Sequence, residues 1–232
     1  MNTTELDDLI KSGMANIANE RGFKCRSSRE GGGLIKKTKA VIMDCGYAKN
    51  SWVDEHQLSG FHTFIGYPVL ENLVMPILVK HSLIGSGVLK ISFTYQRSKE
   101  AFKHRFVYEQ RIIMTAEKLQ PFIDTFKLFF LEDALPFFEQ FSDLNKFYHF
   151  IKDENDPDVL SKILLSIMHE FKLATIYRLC NDSRYESYIT NYYNSRKIVY
   201  EFQPHDLDSQ RYWKAIQELK EVLDRTSPIY NI

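Results

Sequence analysis

At Met114 the hydrophobic pattern of this chain changes period. Upstream, apolar and polar residues alternate. In GSGVLKISFTYQ, Leu89, Ile91, Phe93 and Tyr95 fall on one side and Lys90, Ser92, Thr94 and Gln96 on the other. A period of two belongs to a strand in a sheet with one wet face. Downstream, apolar residues recur three and four positions apart, which is helical spacing. Sheet-forming and helix-forming segments are thus segregated along the chain, which predicts an α+β fold. The expected order is an N-terminal helix, an antiparallel sheet of four to five strands, and a helical C-terminal half.

Local signals place the elements. TTELDDLIKSGMANIANERGF reads as a helix, with Thr4 as cap and Asp7 three residues on. Leu6, Leu9, Ile10, Gly13 and Ile17 share a face, and Gly22 supplies a left-handed stop with Phe23 folding back. The glycine run in REGGGL breaks the chain, and residues 34–47 then read as a strand. Residues 58–79 read as one or two more, interrupted at Pro68 and Pro76. FKHRFVYEQRIIM is expected to pair with the preceding strand across a polar turn, with Phe106, Tyr108, Ile112 and Met114 on one face.

TAEKLQPFIDTFKLFFLEDAL reads as a helix with Pro121 in its first turn and a kink near Leu135, because Pro136 cannot sit deep in a helix. Ser142 with Asp143, then Asp156 before Pro157, then Ser183 with Glu186, mark further helix starts. Trp213, Ile216, Leu219 and Leu223 form the stripe of a last helix. Two divisions are expected: a sheet domain with covering helices over 1–150, and a helical extension over 151–232, packed as one continuous domain or as a separate piece.

The phenylalanines decide where the core lies. Phe122, Phe126, Phe129 and Ala134 form one row, and Phe137 or Phe138, Phe141, Leu144, Phe147 or Tyr148, and Ile151 continue it. As core, each buried ring contributes about 1.5–3 kcal/mol, which accounts for the row without a ligand.

Charge and cysteine content narrow the function. The 232 residues carry 30 basic and 30 acidic side chains, so no whole-molecule field draws nucleic acid or membrane. The balance is uneven: residues 1–115 hold 16 Lys and Arg against 11 Asp and Glu, and residues 116–232 hold 14 against 19. Cys25, Cys45 and Cys180 share no short spacing, which predicts neither a zinc clamp nor a redox pair and suits a reducing cytosol. MNTTELDDLI lacks the apolar stretch of a signal peptide, and no apolar run is long enough to span a bilayer. A cytoplasmic, non-membrane protein without a cofactor is expected.

Catalytic motifs fail one by one. REGGGL lacks the helix and Lys-Ser or Lys-Thr pair of a phosphate loop. IGSGV lacks the spacing of a nucleophile elbow and reads as a hairpin turn. MHEFKL places Leu173 where a zinc helix needs its second histidine. DEHQLSGFH groups Asp54, Glu55, His56 and His62 but reads as a solvated loop, and Glu132–Asp133 and Asp153–Glu154 as solvated or capping carboxylates at helix boundaries. What remains is a basic hairpin. Arg97, Lys99, Lys103, His104, Arg105 and Arg111 cluster over 97–111, interleaved with Tyr95, Phe102 and Tyr108, with Lys36, Lys37 and Lys39 on a neighbouring strand. Tyr95, Arg97, Lys103, Arg105, Tyr108 and Arg111 are the candidate binding residues.

Gly22, Phe23, Pro136, Phe137, Phe138, Phe141, Ser142, Asp143 and Leu144 carry a resemblance. Helix, GFK, strands, and then LPFFEQFSDLNKFYHFI resemble a group of bacterial α+β domains of unknown function, some of which occur near toxin-immunity genes. The resemblance covers the first 150 residues loosely, and HEFKLATIYRLCNDSRYESYI is similar to the tail helices of such domains. It implies no catalytic residues. It implies a non-catalytic, immunity-like module that binds another protein through a few aromatic and Arg anchors. A nucleic-acid binder using the basic hairpin, and a small-molecule binder or enzyme with a pocket between sheet and helices, stand as alternatives.

Overall fold

The computed structural model describes residues 1–52, 55–87, 92–106, 112–165 and 168–230. It is α+β: an N-terminal helix, an antiparallel sheet and a helical C-terminal half. The first helix, α1 (Thr3–Glu20), precedes β1 (Lys24–Ser28), β2 (Gly31–Lys37), β3 (Ile42–Ser51) and β4 (Glu55–Gly66). After α2 (Pro68–Lys80) come the two-residue strands β5 (Tyr95–Gln96) and β6 (Ile112–Ile113). The strand order is β1-β2-β3-β4-β5, and β6 pairs with β4. The helices α3 (Ala116–Leu128), α4 (Leu135–Gln140), α5 (Leu144–Ile151), α6 (Pro157–Ile163), α7 (His169–Leu179), α8 (Tyr185–Phe202) and α9 (Leu207–Arg225) complete the chain.

Several local readings need correction. The cap of α1 is Asn2, in a reciprocal capping box with Glu5, two residues before the expected Thr4. The stop at Gly22 is as read: its φ is +72°, and the Phe23 amide donates to the Ala18 carbonyl at 2.9 Å. The glycine run does not break the chain. Gly31, Gly32 and Gly33 lie inside β2, each facing a β3 residue, and a turn at residues 38–41 divides the single strand expected over 34–47. Gly32 is needed there because a side chain on it would occupy the place of the Tyr47 hydroxyl.

Residues 68–80 form a helix rather than a strand. Pro68 sits in the first turn, where its missing N–H costs nothing. DEHQLSGFH is largely strand, not loop; Asp54 lies outside the described residues. Burial passes from His56 and Leu58 to Phe61, Thr63 and Ile65, a change of phase at Gly60, whose φ is +29°. The strand expected over residues 88–96 survives in the description only as Tyr95–Gln96, and residues 88–91 lie outside it. β6 pairs with the start of β4, Glu55 opposite Ile113, where the sequence predicts pairing with the strand before it. Pro121 falls in the second turn of α3, not the first. At Pro136 the expected kink takes the form of a π-helical turn over residues 129–134, directly upstream of the residue that has no N–H to give.

The chain forms two compact units, each built from two stretches: residues 1–65 with 96–142, and residues 66–95 with 143–232. In the first unit α1 and α3 cover the inner face of the sheet. Leu6, Ile10, Met14 and Ala18 of α1 are buried, and α3 comes close enough that a side chain on Gly13 would stand 2.7 Å from Ile123. Phe122 and Phe126 meet the Tyr47 ring edge-on at 5.0 and 5.6 Å, and Phe61 lies 4.7 Å from Phe129. Phe137 and Phe138 are also interior, Phe138 stacking on Phe23 at 5.7 Å.

The second unit is helical. Leu70, Val74 and Leu78 of α2 face the core with Phe171 and Ile176 of α7 and Ile216, Leu219 and Leu223 of α9. Inside it lies a buried ion pair. Lys172 Nζ donates to Glu71 Oε1 at 2.9 Å and to the Phe93 carbonyl at 2.8 Å. Thr94 and Ser92 hydroxyls donate to the two Glu71 oxygens at 2.7 and 2.5 Å. The network ties the 92–94 segment to α2 and α7. Glu71→Ala, which strands a buried ammonium, is expected to cost about 3–5 kcal/mol in chemical denaturation, and the joint Glu71→Leu, Lys172→Met replacement far less.

Candidate functional site

The described members of the basic set fall at several places in the fold. Tyr95 belongs to the second unit, where its ring packs 5.4 Å from Phe147 and 5.6 Å from Phe150. Arg97, Lys103 and Arg105 belong to the first, and Tyr108 and Arg111 lie outside the described residues. Residues 97–106 are not half of a hairpin but a loop with one short 3-10 turn at Lys99–Ala101.

That loop is held from within. Asp133, fully buried in the π-helical turn, accepts the backbone amides of Lys103 and His104, both at 2.9 Å. Arg97 donates to the Asp133 carbonyl at 2.9 Å and to the Ala101 carbonyl at 3.0 Å. Arg105 donates to the Phe102 carbonyl at 3.2 Å and to the Glu100 carbonyl at 2.5 Å. His104 reaches Glu132 at 2.9 Å, and Phe102 is buried against Phe129. The two guanidinium groups therefore close their own loop. Lys36, on β2, donates to the Arg21 carbonyl at 3.0 Å, and β3 and β4 separate its strand from β5. Lys103 remains exposed.

A polar cluster occupies the other face of the sheet. Arg26 on β1 stands opposite Gly33, which stands opposite Gly46. With no side chains on that row, the guanidinium reaches across to Asp44, at 2.5 and 2.6 Å, and lies 3.3 Å from His62 Nε2. The Asp44 side chain is only 2% exposed. Burial works against its ionisation, but the contacts from His62 and Arg26 outweigh it and hold the carboxyl below the usual aspartate range. All the charge is answered locally, so the cluster reads as a cross-strand brace.

In the second unit, an open groove of about 740 Å³ runs between Lys80, His81, Lys214, Glu221 and Arg225. Its central carboxylate, Glu218, is already bound by Lys80 at 2.8 Å and His81 at 2.7 Å. Among the described residues, no three His, Cys, Asp or Glu side chains converge to hold a metal, and no helix is long and apolar enough to cross a membrane.

Among the described residues, several exposed large apolar side chains lie close in sequence at the turn joining α8 to α9. Ile198, Phe202 and Leu207 are 66%, 82% and 64% exposed, and Val199 is exposed beside them. Ile198 and Phe202 are four residues apart and share a helix face. The hairpin that carries them is rigid behind the tip: Trp213 of α9 packs 4.8 Å from Tyr193 and stacks on Tyr200 at 5.9 Å, and Asp206 caps α9 through the Ser209 amide at 2.7 Å. Nearby charges are paired along their own helices, Lys197 with Glu201 and Arg211 with Asp208.

Compared with known proteins, the chain matches no family model, no curated protein and no solved structure.

The sequence predicts Asp133 as a solvated or capping carboxylate, whereas the structure buries it completely, and the hairpin tip was passed over. Asp133 had a signal: it lies four residues after Phe129 and three after Phe130, on the stripe that buries. The tip had one too, since Ile198 and Phe202 interrupt the polar face of α8. Two outcomes follow. Asp133→Ala leaves two loop amides without their acceptor and is expected to speed hydrogen exchange at Lys103 and His104 by about tenfold or more, with a loss of roughly 1–3 kcal/mol in stability. Asp44 ionises more readily folded than unfolded, so its contribution is complete above the ordinary aspartate pKa of about 3.9 and is lost as pH falls through the lower folded value. Asp44→Asn is expected to flatten that acid limb in denaturation curves recorded from neutral pH downward.

Proposed function

We propose that this chain is a non-catalytic protein-binding module, of the immunity-like kind that the sequence resemblance implies, and that it engages its partner through the α8–α9 tip. The observation that carries this reading is the exposure of Ile198, Val199, Phe202 and Leu207 together at the end of a braced hairpin. Scattered exposed apolar residues are ordinary, but a contiguous group is characteristic of a contact surface. A projecting ring such as Phe202 is suited to fill a pocket and act as an anchor.

The rim chooses the partner's chemistry. With Lys197–Glu201 and Arg211–Asp208 neutralised on their own helices, the tip offers apolar area and little net field. The fitting occupant is a protein presenting an apolar groove, bound with weak dependence on salt. The basic loop supports this role less well, since Arg97 and Arg105 each turn two donors onto backbone carbonyls.

The test compares wild type with Phe202→Asp, a change at an exposed position that leaves the core untouched. The full chain is used to recover partners from its native cell at low and high salt, and the recovered protein is then titrated in purified form. One protein held at both salt concentrations, with affinity reduced about tenfold or more by Phe202→Asp, is the expected result. Retention unaffected by Phe202→Asp overturns the reading, as does retention that vanishes with salt, which is the signature of phosphate-backbone contacts. Loss of self-association alone would assign the tip to a second copy of the chain and also overturn it.

A further inference from the structure

The second unit contains a cavity of about 520 Å³ walled by residues 154–160, α7 and α8, away from the hairpin tip in sequence and with a different lining. That volume falls within the range of roughly 300–1,000 Å³ common for small-molecule sites. Leu160 and Leu173 give it apolar wall. The rings of Tyr177 and Tyr188 meet edge to face at 5.3 Å and 89°. Among the described residues, neither tyrosine hydroxyl nor the Asn191 amide has a hydrogen-bond partner. Asn191 is exposed and Tyr188 half-buried, so both stand at the mouth within reach of a ligand.

The charge in the wall is lopsided. Arg184 lines the cavity, but its guanidinium is taken by Asp182 at 2.5 to 3.0 Å and by the Lys152 carbonyl at 2.7 Å, and it lies 4.6 Å over the Tyr177 ring. Glu154 accepts the Asp156 amide at 2.8 Å. Glu170 is held more loosely. Its oxygens stand 3.5 Å from His169 Nδ1 and 3.5 Å from Arg196 Nη2, beyond the ~2.7–3.2 Å of a hydrogen bond. Arg196 is committed elsewhere, stacked over Tyr192 at 5.1 Å and Tyr212 at 4.7 Å. Burial, and after it the negative charge of Glu170, push the Tyr188 phenol pKa up, and Arg196 works against them.

We infer that this cavity binds a small organic ammonium compound, its charge set between Glu170 and the Tyr188 ring and its carbon skeleton against Leu160 and Leu173. Aromatic faces attract an alkylammonium through their quadrupole, and more strongly when it is desolvated. Glu170 supplies the countercharge that a buried cation requires. A carboxylate of the same shape would meet Glu154 and Glu170 with no free cation to answer it.

Three probes of one shape separate these terms: phenethylamine, phenethyl alcohol and hydrocinnamate, each titrated calorimetrically into the full chain. The amine is expected to bind, the alcohol about tenfold or more weaker, and the carboxylate not at all. Glu170→Gln is expected to bring the amine down to the level of the alcohol while leaving the alcohol unchanged. Asn191→Trp, at an exposed position of the mouth, is expected to abolish binding with the fold intact, and it serves if Glu170→Gln does not fold. Binding of the carboxylate as tightly as the amine overturns the inference. So does amine binding indifferent to Glu170→Gln and Asn191→Trp, or no binding of any probe at millimolar concentration. Because Phe202 takes no part here, loss of partner binding in Phe202→Asp and loss of amine binding are separable results.

Discussion

The first unit depends on one contact: the aromatic edge of α3 laid against the inner face of the sheet. Phe122, Phe126 and Phe129 are spaced so that one helical face presents three rings in succession, and Tyr47 and Phe61 receive them. Each buried ring contributes about 1.5–3 kcal/mol by area, and edge-to-face contacts add to it. Those rings also set what the sheet must be. Tyr47 fits under α3 only because β2 has glycine at residue 32, where any side chain would take the place of its hydroxyl.

Charges inside the fold follow a single rule: each is buried only where its partners are complete. Asp133 gathers two loop amides, Asp44 takes both arms of Arg26, Glu71 takes Lys172 and two hydroxyls, and the buried Lys49 reaches Asp7 at 2.6 Å. Each of these groups is held by at least one strong charged or hydrogen-bonded partner. They pin loops and strands, which is the expected use of charge under a low dielectric. Against that background the exposed apolar tip of α8–α9 and the loosely held Glu170 stand out, because neither is explained by the packing around it.

Much of the architecture was legible in the residues. The helix stop at Gly22–Phe23, the Asp156–Pro157 start and the interior placement of Phe122, Phe126, Phe129, Phe137 and Phe138 follow from spacing and cap chemistry. The misreadings have physical causes. Pro68 looked like an interruption and is a helix start, because the first turn asks no N–H of it. Gly31 to Gly33 looked like a break and are a strand, because their missing side chains are what the neighbouring strand needs. Over 97–105 the sequence shows the number of cations and not the loop carbonyls toward which Arg97 and Arg105 turn.

The residues alone determined the class of the fold and the membership of its core, since period and burial are local properties of a segment. Tertiary structure decided which charges are spent and which are free. Arg97 and Arg105 close on their own loop, Asp133 turns inward, and Phe202 is left in solvent at the end of its hairpin. A side chain's hydrogen-bonding and apolar valence is filled or left open by groups distant in sequence, so function, which uses the open valence, became readable only when those distant groups were in place.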